Sequence, residues 1–60
     1  MSTLSRLQDE YVDVLIRQDR AKRQAEVATG IHLTSLKSQI HGADVRLQEL
    51  EQKIIEEAAR

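Results

Sequence analysis

Two histidines, His32 and His41, are the side chains best suited to acid–base or metal chemistry near neutral pH. They stand nine positions apart, about two and a half helical turns, so a helix carrying both points them to opposite sides. A nucleophile needs an adjacent base that a third group holds in place. Neither histidine forms such a motif with a serine or carboxylate, and the chain has no cysteine. Metal-ligand spacings such as His-x-x-His, His-x-x-x-His and Glu-x-x-His are missing as well. Asp9 with Asp13, and Glu49 with Lys53, are ordinary neighbours one helical turn apart. Sixty residues also leave little protein to enclose a ligand pocket of about 300 Å³. The expectation is a non-enzymatic chain with no catalytic residues, no metal and no cofactor.

The basic residues Arg17, Arg20, Lys22 and Arg23 form the other chemical cluster. A basic helical strip can track phosphates, and this sets the alternative function: a small dimeric helical-bundle regulator that binds nucleic acid through these four. The surroundings argue against it. Net charge is -1, and Asp13, Asp19 and Glu26 dilute the cluster. Tyr11 is the sole aromatic residue, so single strands find no stacking platform. A solvated helix face accounts for the same residues.

The elements that position these groups are helices. Leu4, Leu7, Tyr11, Val14, Gln18, Ala21, Ala25 and Ala28 recur in steps of three and four, as do Leu33, Leu36, Ile40, Ala43, Leu47, Leu50 and Ile54. Those are the a and d positions of a heptad seam. Glu57 takes the last d position. Ser5 with Gln8 fits a capping box, with Ser2 and Thr3 as competing caps. The two series are out of phase, because Ala28 and Leu36, both d positions, are eight residues apart. The slip spans Thr29 to His32, and Gly30 there can end a helix in the left-handed conformation. The pattern predicts one all-α domain over 1–60, with a helix about 5–28, a turn about 29–32 and a helix about 33–59.

Two architectures satisfy this pattern. An antiparallel, coiled-coil-like hairpin pairs helices of matched length, with Ala28, Ala25 and Ala21 facing Leu33, Leu36 and Ile40. Farther out, Val14 meets Leu47, Tyr11 meets Leu50 and Leu7 meets Ile54. This arrangement sets Glu10 near Lys53, but also Arg17 near Arg46 and Lys22 near Lys37. The alternative is one continuous helix in a dimeric coiled coil, with the slip absorbed by local unwinding. A break at Gly42 would give three helices instead.

The chain must also find stability. A core this small supplies only about 3–5 kcal/mol, and disulfides are excluded. Self-association into a helical bundle, or docking on a larger protein, is the remaining route. A second stripe supplies a candidate partner face: Val12, Ile16, Arg20, Arg23 and Val27, widened by Leu15. His41, Val45, Gln48, Gln52 and Ile55 form a fainter counterpart. Aliphatic residues interleaved with arginine have the composition of an interface. The expected function is protein–protein interaction by helix-face packing, as an assembly factor, chaperone, adaptor or structural subunit. No apolar run approaches a membrane span, and no signal sequence is recognisable at the start, so the expected location is cytoplasmic.

Overall fold

The computed structural model describes residues 2–60 as two helices, α1 (Thr3–Ala25) and α2 (Gly30–Ala58), packed against each other as a hairpin. Met1, part of the expected domain, lies outside the described residues. At 1.5 Å per residue the helices are about 35 and 44 Å long. The molecule extends 46 × 16 × 12 Å, which excludes the continuous rod, whose length would be about 87 Å. The helix also runs unbroken through Gly42, so the three-helix alternative falls.

Both ends of α1 differ from the sequence expectation. Ser2, not Ser5, caps the helix: its backbone is extended, and its Oγ accepts from the Ser5 N–H at 3.1 Å. Ser5 is therefore inside the first turn, as the donor that the cap satisfies. The helix ends at Ala25 rather than Ala28, and a bond of 3.2 Å from the Val27 N–H to the Gln24 carbonyl tightens the exit. Gly30 does not close α1; it opens α2, with φ 63 after an extended Thr29. The left-handed residue thus reverses the chain at the entry to the second helix, which starts earlier than the expected Leu33. Thr34 Oγ1 donates to the Gly30 carbonyl at 3.3 Å in that first turn.

The core is thin. Leu36, Leu47, Leu50 and Ala21 are buried, with Leu50 at 0% exposure. Leu4, Leu7, Tyr11, Val14, Ala25, Ala28, Leu33, Ile40, Ala43 and Ile54 are half-buried along the same seam. Gln18 is a buried polar residue within it. Its Nε2 donates to the Ile40 carbonyl at 3.2 Å and to the Asp44 carboxylate. These bonds set Gln18 against the turn of α2 from Ile40 to Asp44 and so define the register of the two helices. A slipped register would strand the amide without partners.

The charges flanking the seam pair differently from the expectation. Glu10 binds Arg46 at 2.6 Å and forms no ion pair with Lys53 among the described residues. Arg46 also reaches Glu49 at 3.2 Å, and its guanidinium is held above its usual range by the bonds to Glu10 and then Glu49. Arg17 turns back to Asp13 at 3.1 Å. Each of the two arginines expected to lie near one another thus has a carboxylate partner of its own.

Candidate interaction face

Successive residues of a helix are about 100° apart, so Ile16 projects almost directly away from the seam. Val12 and Leu15 flank it on one side. Ile16, Val12 and Leu15 are 48%, 53% and 40% exposed, a contiguous aliphatic surface on the outer side of α1. Arg20 and Arg23 continue that surface toward the turn, and both are exposed.

Val27 lies just beyond the helix that carries this stripe. With α1 ending at Ala25, Val27 falls in the turn, where it is 86% exposed. Ile31, at 90%, is the most exposed large aliphatic side chain among the described residues and lies outside the expected face. Its one sequence signal is a β-branched residue beside Gly30. Val45 and Ile55 are exposed on α2. Val45 projects from the back of α2, across the hairpin from Ile16, so the two stripes do not merge into one face.

The basic cluster is also divided. Arg17 is bound to Asp13 and Arg23 to Asp19, each at 3.1 Å. Arg20 and Lys22 form no ion pair among the described residues. Arg17 and Lys22 lie on opposite flanks of α1, about 140° apart around the helix. Arg17, Arg20 and Arg23 follow one another at steps of three along α1, so Lys22 alone lies off their row.

Two open clefts flank the seam. One, of about 290 Å³, is lined by Val14, Arg17, Gln18, Ala21, Gln39 and Ala43, where small alanines leave space between the helices. The other, of about 410 Å³, is lined by Thr3, Arg6, Leu7 and Glu10. Both are open grooves along the helix pair, and neither is lined by a histidine. His32 and His41 are exposed. Among the described residues, no three His, Cys, Asp or Glu side chains gather as metal ligands, and no helix is long and apolar enough to cross a membrane. Comparison with protein-family models, curated proteins and solved structures finds no match.

Proposed function

We propose that this hairpin is a non-enzymatic interaction module that binds protein partners through the outer face of α1. The supporting observation is the exposed Ile16, Val12 and Leu15 surface, which the hairpin's own seam leaves unused. Burial of such side chains supplies affinity, and the neighbouring Arg20 and Arg23 supply orientation. A thin core adds a second reason, since a bound partner stabilises the folded state by mass action. Assembly, adaptor, chaperone and structural roles all use this chemistry.

The test places a photo-crosslinking residue at Val12 of the full chain, with and without Ile16→Asp. Discrete adducts that Ile16→Asp abolishes, with helicity unchanged by circular dichroism, are the expected result. Adducts indifferent to Ile16→Asp, or none to any protein or second copy, would overturn the proposal. Collapse of the helical spectrum would place Ile16 in the fold's own core.

A further inference from the structure

We infer that the outer face of α1 pairs with the same face of a second copy, antiparallel, about a twofold axis at Ile16. This rests on the interaction-module proposal and names its partner. In such a contact, a residue a given number of places before Ile16 meets the residue as many places after it on the partner.

The charges on this face obey that relation. Asp9 is seven places before Ile16 and Arg23 seven places after, both within about 20° of the Ile16 direction. Each copy's Asp9 therefore meets an arginine, Arg23, of the other copy. Asp13 and Arg20 lie three before and four after, both about 40–60° to the same side. A twofold axis of this kind brings the same flanks together, so Asp13 of one copy meets Arg20 of the other. Opposite charges then flank the Ile16–Ile16 centre at both ends and along one side; on the other side Val12 of each copy meets Asp19 of the other, a carboxylate that Arg23 of its own chain holds. The parallel arrangement would instead set Asp9 on Asp9 and Arg23 on Arg23.

All these residues are exposed, and Asp9 and Arg20 form no ion pair within the chain among the described residues. Arg23 can hold its own Asp19 together with an Asp9 from the other copy. Since Ile16 projects away from the seam, α2 lies on the far side of α1 and does not obstruct the approach. The contact is one helix face wide, smaller than a standard interface of about 1,600 Å², so its affinity is expected in the micromolar range.

Sedimentation equilibrium of the full chain up to about 1 mM at low salt tests the pairing. Two charge-reversed chains are compared with the natural one: Asp9→Arg with Asp13→Arg, and Arg20→Asp with Arg23→Asp. Each alone faces like charges across the axis and should dimerise at least about tenfold more weakly. An equimolar mixture should recover dimerisation, because every charged contact across the axis then joins an arginine to an aspartate. Adding the neutral Ile16→Gln to both chains should prevent that recovery, which separates the contact from attraction between net charges. A monomeric natural chain, reversals without effect, or no recovery on mixing would overturn the inference. Crosslinks from Val12 to a different protein, with a monomeric natural chain, would overturn it while leaving the interaction-module proposal intact.

Discussion

The inner and outer faces of α1 carry similar aliphatic side chains with opposite fates. Inside, Leu7, Tyr11, Val14 and Ala21 are buried or half-buried against α2, with Gln18 locked among them. Outside, Val12, Leu15 and Ile16 remain in water. Hydrophobicity alone does not distinguish the two; helical phase does. The inner residues contribute to folding, and the outer ones are left uncovered by the hairpin.

The strongest way to break this contrast is Leu47→Asp, which puts a carboxylate at a buried seam position. It should unfold the chain, exceeding the roughly 3–5 kcal/mol that a core of this size supplies. A helical chain of unchanged mass and melting midpoint would show that the seam does not hold the fold. Gln18→Leu probes the polar residue within the inner face. It should stabilise the hairpin by about 1 kcal/mol in urea unfolding, while broadening the amide resonances of α2 as register becomes less defined. Lower stability would mean that the Gln18 bonds outweigh apolar burial. The smallest effect is expected on the outer face of α2, where a methyl group added at Gly42 meets nothing within 4 Å. Gly42→Ala should raise stability by about 0.5–1 kcal/mol without altering self-association. A loss of stability there would reveal a contact on a surface that is open in the hairpin.

Much of the hairpin was legible because periodicity draws on many residues at once. The apolar seam positions share one phase within each series, and no single substitution disguises that signal. The ends were less legible, because each rests on one or two residues. Ser2, Thr3 and Ser5 compete for the same cap, and Gly30 can serve either the exit from one helix or the entry to the next. The pairing of Arg46 with Glu10 escapes the heptad pattern for another reason. A long side chain reaches beyond its own layer, so position along the helix does not assign its partner. For the candidate face, the sequence pattern indicates the exposed Ile16 surface but carries the helix on to Val27, whose place depends on where α1 stops.

The short link from Glu26 to Thr29 has a consequence for how the molecule responds to its own abundance. Tethering holds α1 and α2 at an effective concentration in the millimolar range or above, so their pairing is indifferent to dilution. A contact through the outer face has no tether. Pairing of α1 with α2 therefore does not depend on protein concentration, whereas the proposed pairing at Ile16 would form and dissolve with it.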